Sequence, residues 1–225
     1  MPPTPIATSA ATQFAFGRPA TRIIVGFDLG QRSSHSAIVA IEVVTGATNQ
    51  RNPVTFEFVH ETRLFFRKIE RLPLDLPYDS LVQRLHRVIR DLGDPKIVTL
   101  VIDATGCGQP FVELVRKQKM GALISAIGIT SGGSGSYSGG IQHVAKKDLI
   151  SGANYVMASR ALAAQNGMAG LKELKEEMEA YCVRTSRAGH DSFRSNEKDD
   201  LVMAFALASW RARPFLPRAM AELDR

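Results

Sequence analysis

Cysteine and tryptophan are scarce in this sequence, with two Cys and one Trp among 225 residues. Cys107 and Cys182 lie far apart without a C-x-x-C partner, which excludes a disulfide framework or a thiolate metal site and fits a reducing, cytoplasmic compartment. No apolar run approaches the roughly 18 residues of a membrane span. The opening MPPTPIATSAATQFAFGRPAT also lacks the charged start and long apolar stretch of a secretory signal, so no membrane partner is expected. No G-x-x-x-x-G-K-[ST] occurs, and this excludes a P-loop ATP site in the chain. The histidines, His35, His60, His86, His143 and His190, show no H-x-x-x-H spacing, which leaves no imidazole-based metal site to expect.

What is present is enough for one domain: 44% of residues are hydrophobic, sufficient for a core in a chain of this length. Lys and Arg number 28 against 22 Asp and Glu, a net charge of +6 that favours a polyanionic partner such as nucleic acid. Residues 1–21, rich in Thr, Ala and Pro, read as a flexible arm. Residues 22–213 read as one domain, and 214–225 as a tail.

The apolar pattern gives an α/β order. RIIVGFD at 22–28 is a buried strand ending in a carboxylate, HSAIVAIEVV at 35–44 its hairpin partner, and VTFEFVHETRLFF at 54–66 a third strand. A helix follows over 80–92, closed by Gly93 and Pro95. IVTLVID at 97–103 is another buried strand with a terminal Asp, then a helix over 111–119 and a strand over 122–130. These spacings predict a mixed five-stranded sheet, three antiparallel strands followed by parallel ones with helices alongside. SGGSGSYSGG at 131–140 reads as a mobile loop. Helices are expected over 146–165, 170–183 and 198–212, with a turn or short hairpin in RTSRAGHDSFRSNE.

If the first and fourth strands are neighbours, Asp28 and Asp103 share one edge of the sheet. The last helix opens with Lys198-Asp199-Asp200, and Asp200 lies on the face with Met203, Ala204, Leu207 and Ala208. Each acid also has an ordinary structural reading: Asp199 as a helix cap, Asp28 as a turn initiator, Asp103 as a cap for the loop after it. Their combination points further, because acids gathered at one edge repel strongly unless cations hold them. Oxygen ligands alone suit Mg²⁺ or Mn²⁺. Two such ions about 3.5–4 Å apart activate water and stabilise the leaving oxygen of a phosphodiester, which is nuclease chemistry.

In order and spacing, GFDLGQRSSHSAIVAIE at 26–42, VTLVIDATGCGQPFVELV at 98–115, VAKKDLISGANYVMASRAL at 144–162 and LKELKEEMEAYCVRTSRAGHDSFRSNEKDDLVMAFALASW at 171–210 resemble the C-terminal nuclease domain of the large terminase subunit of tailed bacteriophages. The likeness covers residues 22–212. It implies a ribonuclease H-like fold and a two-metal endonuclease that cuts concatemeric viral DNA during packaging in a bacterial host. It implies Asp28, Asp103 and Asp200 as catalytic, metal-holding acids, with Asp199 as an alternative or additional ligand. The implied partners are double-stranded DNA, an ATPase motor, the small terminase subunit and the portal. Many resembling proteins have His where Lys198 stands, and Lys favours phosphate contact over metal ligation. They also carry an ATPase half upstream. Its motif is missing here, which leaves a nuclease half alone, a motor on another chain, or a prophage remnant.

Around the acids, Lys146 and Lys147 open a helix where cations oppose the dipole, a placement that suits phosphate binding or a solvated surface pair. Arg63, Arg67 and Lys68, with Arg71, form a second basic run able to track a DNA backbone or to face solvent. His143, just ahead of the lysines, is a candidate to support the acids. Three rival readings stay open: a Holliday-junction resolvase, an actin-like ATP-binding module suggested by D-L-G and D-A-T-G at strand ends, and a nuclease-dead packaging or docking module.

Overall fold

A computed structural model describes residues 16–30, 34–106, 108–132, 135–187 and 199–216. β1 (Phe16–Asp28), β2 (Ala37–Arg51) and β3 (Phe58–Arg71) form an antiparallel meander, with Ile24 opposite Ile41 and Val43 opposite Leu64. There follow α1 (Tyr78–Asp91), β4 (Val98–Asp103), α2 (Gly108–Lys117), β5 (Leu123–Thr130), β6 (Tyr137–Ser138) and β7 (Ile141–Ala145). The chain then forms α3 (Lys146–Ala158), β8 (Leu162–Ala163), α4 (Leu171–Arg187) and α5 (Asp200–Ala212).

One mixed sheet results, in the order β6-β7-β5-β4-β1-β2-β3-β8. β4 runs parallel to β1, β5 parallel to β4 and β7 parallel to β5. The mixed α/β architecture agrees with the sequence pattern, but the described residues contain eight strands where five were expected. The three additions are β7, Ile141–Ala145, which extends the parallel part beside β5, and a two-residue piece at each edge. Tyr137–Ser138 pairs antiparallel with β7 inside the Gly- and Ser-rich segment expected to be loop, and Leu162–Ala163 pairs with β3 where helix was expected. That helix stops at Ala158 because Arg160 takes a left-handed φ of 54° and Ser159 turns the chain: its hydroxyl donates to the Val156 carbonyl and accepts from the Ala161 amide.

β1 starts at Phe16, ahead of the apolar run. Its pairing with β4 begins only at Ile23, so Pro19, which has no N–H to offer, sits where β2 is the sole neighbour. β3 starts at Phe58 rather than 54, because Asn52 Oδ1 accepts from the Val54 and Thr55 amides and holds those residues in a turn. In the segment expected to be a turn or short hairpin, residues 184–187 belong to α4, and 188–198 lie outside the described residues.

Helices cover both faces of the sheet. α1 and α2 pack on one, where Phe27 stacks on Phe111 at 5.3 Å between centroids. α3, α4 and α5 cover the other, and Phe66 meets Phe205 there. α5 lies against β1 in direct backbone contact, since a Cβ placed on Gly26 would stand 2.0 Å from the Ala204 carbonyl oxygen and 2.8 Å from the Ala208 nitrogen. Gly26 thus sets how closely α5 approaches the sheet. No helix among the described residues is long and apolar enough to cross a membrane.

A candidate carboxylate-rich active site

The parallel pairing of β1 and β4 puts Phe27 opposite Ile102, so Asp28 and Asp103, one residue further along each strand, leave the sheet side by side at one edge. The contact at Gly26 brings α5 to the same edge. Ala208 and Ala204 touch β1 through Gly26, and Asp200 is one helical turn before Ala204 on that stripe. Asp200 is buried there, only 5% exposed.

Electrostatics shows that the acids sense one another. Burial raises the Asp28 carboxyl well above the ordinary carboxylate range; the charges of Asp103, Asp200 and Asp199 raise it further, and Lys146 pulls it back. Burial also raises Asp103, opposed by the hydrogen bonds from Thr105 and by Lys146. The Thr105 amide donates to Asp103 Oδ1 at 2.8 Å, so Asp103 does cap the loop after its strand. That bond leaves the acid at the edge beside Asp28.

Asp199 occupies the cap position of α5, yet its side chain makes no capping bond. It faces Lys146 instead, with Nζ 3.4 Å from Oδ2. Lys146 also lies 5.8 Å from the centre of the Tyr181 ring. The cap is supplied from α4. Glu177 Oε2 accepts from the Leu201 amide at 3.0 Å and the Val202 amide at 3.3 Å. Glu177 also forms an ion pair with Arg71, whose Nε stands 3.7 Å from Asp200 Oδ2.

The corner therefore gathers Asp28, Asp103, Asp199 and Asp200, with Lys146 and Arg71 as cationic partners. Other expected residues lie elsewhere. Lys147 is exposed beside Lys146. The His143 ring packs on Gly128, and its Nε2 is 2.9 Å from Ser138 Oγ, a tie to the β6 hairpin rather than to an acid. Arg63, Arg67 and Lys68 each meet a carboxylate of the sheet, Glu61, Glu42 and Glu70 respectively. Glu70 in turn holds Arg84 of α1, on the face away from α5. A bulge at Arg67 separates this run from Arg71, because Ala40 pairs with Lys68 and Ile41 with Phe66. Lys198 lies outside the described residues.

Oxygen donors alone suit a hard divalent cation, and a cation here would relieve the repulsion that opposes ionisation of Asp28. As the side chains lie, no three His, Cys, Asp or Glu among the described residues are grouped closely enough to hold an ion. Binding one thus requires the carboxylates to turn toward each other. Glu177 and the role of Arg71 escape the sequence reading. The available signal for Glu177 is its phase: a carboxylate between Leu174 and Tyr181 on the apolar stripe of α4.

Comparison of the sequence with protein-family models gave no match, and comparison with curated proteins gave none.

Proposed function

We propose that this chain is a metal-dependent DNA endonuclease of the phage terminase type, built on a ribonuclease H-like fold. The observation that carries the reading is the convergence of Asp28 and Asp103, at the ends of adjacent parallel strands, with Asp199 and Asp200 at the start of α5, close enough for the other three charges to act on Asp28. The strand order β3-β2-β1-β4-β5 and the final helix over β1 support the fold assignment.

Asp28, Asp103 and Asp200 are the residues to hold Mg²⁺ or Mn²⁺, with Asp199 able to join them. Two ions bound there supply an activated water and charge stabilisation for the leaving oxygen of a phosphodiester. The protein's own part is to hold these acids at a fixed sheet edge, half-buried or, for Asp200, buried, where electrostatic interactions are strong. Lys146 supplies positive charge next to the acids, and Lys147 offers a phosphate contact at the surface. In this reading the substrate is concatemeric viral DNA in the bacterial cytoplasm. The partners are an ATPase motor, the small terminase subunit and the portal, and the acid corner itself needs no ATP.

Plasmid cleavage with Mn²⁺, with Mg²⁺ and with EDTA tests the reading. Cutting should need the ion and fall by about a thousandfold or more in Asp28→Asn, Asp103→Asn and Asp200→Asn, each still folded. Wild-type-like cutting by all three variants would refute the site. A preference for four-way junctions over linear duplex would turn the reading toward a resolvase. ATP binding without metal-dependent cutting would turn it toward an actin-like module, and no cutting with either ion toward a docking module.

A further inference from the structure

The two ends of the parallel strands differ in charge. β1 and β4 finish at the acid corner, whereas β4 and β5 begin at the opposite end, roughly 17 Å away along the six residues of β4. α1 and α2 both stop at that far end, because each leads into a parallel strand that starts there. Six cations gather at it: Arg87 and Arg90 in the last two turns of α1, Lys96 in the turn Pro95–Ile97, Arg116 and Lys117 in the last turn of α2, and Lys119 just beyond. All six are exposed. The two connecting turns touch, since a Cβ placed on Gly121 would stand 3.1 Å from Pro95 Cβ, so the cations of α1 and α2 share one surface. The acids of these elements at that end are Asp91, Asp94 and Glu113, and Asp94 Oδ1 already accepts from the Lys96 amide at 3.0 Å.

We propose that this end of the sheet is a seat for the phosphate backbone of a nucleic-acid duplex, separate from the acid corner and independent of any metal. The fold makes little internal use of these charges. Arg63, Arg67, Lys68, Arg71 and Lys146 each meet a carboxylate, whereas none of the six forms an ion pair among the described residues. Compensation of the helix dipoles accounts for Arg90, Arg116 and Lys117, but Lys96 and Lys119 lie outside both helices and Arg87 lies a turn earlier. Lys119 also takes a left-handed φ of 46°, where glycine is the usual residue after a helix, so a cation stands at a position whose backbone favours another residue. A protein partner needs an apolar centre inside a polar rim. Among the described residues of these helix ends and turns, Leu123 is the only large apolar side chain that is exposed. Clustered, unpaired cations without an apolar centre suit phosphates read by charge rather than by sequence.

Fluorescence anisotropy of the full chain with a short DNA duplex, and with an RNA duplex of equal length, tests this in EDTA over a range of salt. The double variants Arg87→Gln/Arg90→Gln and Lys96→Gln/Lys119→Gln should each flatten the salt dependence of log Kd by about two units and weaken binding at low salt at least about tenfold. The two together should remove roughly four units. Arg116 is left in place because its Nη2 donates to the Gly140 carbonyl at 3.2 Å and ties α2 to the turn before β7. Glutamine keeps an uncharged polar side chain at exposed positions, so thermal unfolding should show each variant folded. Should a double variant unfold early, Arg90→Gln and Lys119→Gln singly should each lose about one unit.

This loss with either duplex carries the proposal, and the duplex bound more tightly names the source of the phosphates. No duplex binding by the wild type at low salt, or a slope unchanged in both double variants, overturns it and leaves the cluster to helix-end stabilisation. Polyglutamate that displaces the duplex as well as unlabelled duplex does, at equal charge, overturns the nucleic-acid assignment in favour of an acidic protein. With no ion present, Asp28→Asn should bind at least as tightly as the wild type, so a failure of metal-dependent cutting leaves this proposal standing.

Discussion

Beneath α1 and α2, the sheet buries Val25, Phe27, Ile38, Leu100 and Ile102 against Leu85 and Phe111, an apolar layer with no buried charge among the described residues. Beneath α3, α4 and α5 the same strands bury Ile24, Val39, Ile41 and Val101, but Asp200 is buried there too, and Arg71 and Glu177 crowd the edge. Hydrophobic packing alone accounts for the first face. The second spends part of its helix face on charges that an apolar layer would not need, and buried charges of one sign are costly unless something compensates them. The contrast teaches that one face serves stability, while the edge of the other gives up some stability to keep acids together.

The packing of α5 gives the largest expected effect. Gly26→Val sets a side chain where a Cβ already meets the Ala204 carbonyl oxygen at 2.0 Å, so α5 must lift off β1. Urea unfolding should show a loss of at least about 4 kcal/mol, and Mn²⁺ binding should fall with it because Asp200 moves with the helix. A variant of near wild-type stability would mean that α5 does not depend on this contact. Leu85→Ala on the opposite face should cost about 3 kcal/mol by cavity formation. Below its melting range it should leave Mn²⁺ affinity unchanged. An equal loss of affinity in both variants would erase the distinction between the faces.

Asp28 tests the compensation itself. Because burial and neighbouring acids raise its folded-state pKa, the folded protein holds a proton at Asp28 that the unfolded chain has already released. The contribution of Asp28 to metal-free stability is fully present below the ordinary carboxylate value and is lost as pH rises through the raised one. Asp28→Asn should remove the penalty. In EDTA at pH 7 its Tm should rise by roughly 2–4 °C for each kcal/mol recovered, with a flatter dependence of Tm on pH. Some slope should persist, since Asp103 is raised in the same direction. A lower Tm for Asp28→Asn across pH 5 to 8 would show that the acids do not strain the fold.

Much of this arrangement is legible in the residues. RIIVGFD and IVTLVID announce two buried strands with terminal acids because β-branched runs have few other places to go, and KDDLVMAFALASW announces an apolar helix behind two Asp. The edge strands do not show: Tyr137–Ser138 and Leu162–Ala163 are two-residue pieces made by backbone pairing, which leaves no hydrophobic period to detect. Arg71 was hidden by parity. Leu64 and Phe66 point toward α5, and simple alternation would send Arg71 away from them; the bulge at Arg67 restores Ile69 and Arg71 to that face. Glu177 is one of four acids in LKELKEEMEA, and only its phase with Leu174 and Tyr181 sets it apart. Asp199 is a preferred cap residue in the cap position and still does not cap, because Lys146 takes its side chain and Glu177 takes the amides.

The smallest effect should come from the basic run of β3, and it bears on where DNA would run in the proposed nuclease. Arg63 is paired with Glu61, and both side chains are more than a third exposed or close to it, at 34% and 46%. Exposed pairs of this kind contribute between about 0 and 1 kcal/mol, so Arg63→Gln should change stability by less than that. Its charge is already answered by a neighbour, and releasing it for a phosphate means giving up that neighbour. Lys147, exposed at the start of α3 beside the acid corner, has no carboxylate partner among the ion pairs of the described residues. The salt dependence of DNA binding should therefore lose about one unit of slope in Lys147→Gln and almost none in Arg63→Gln. A slope that drops equally in both would extend the DNA path along β3 and onto the face covered by α1. A slope that drops only in Arg63→Gln would move the path away from the acids, and the two faces would then have to exchange the roles assigned to them.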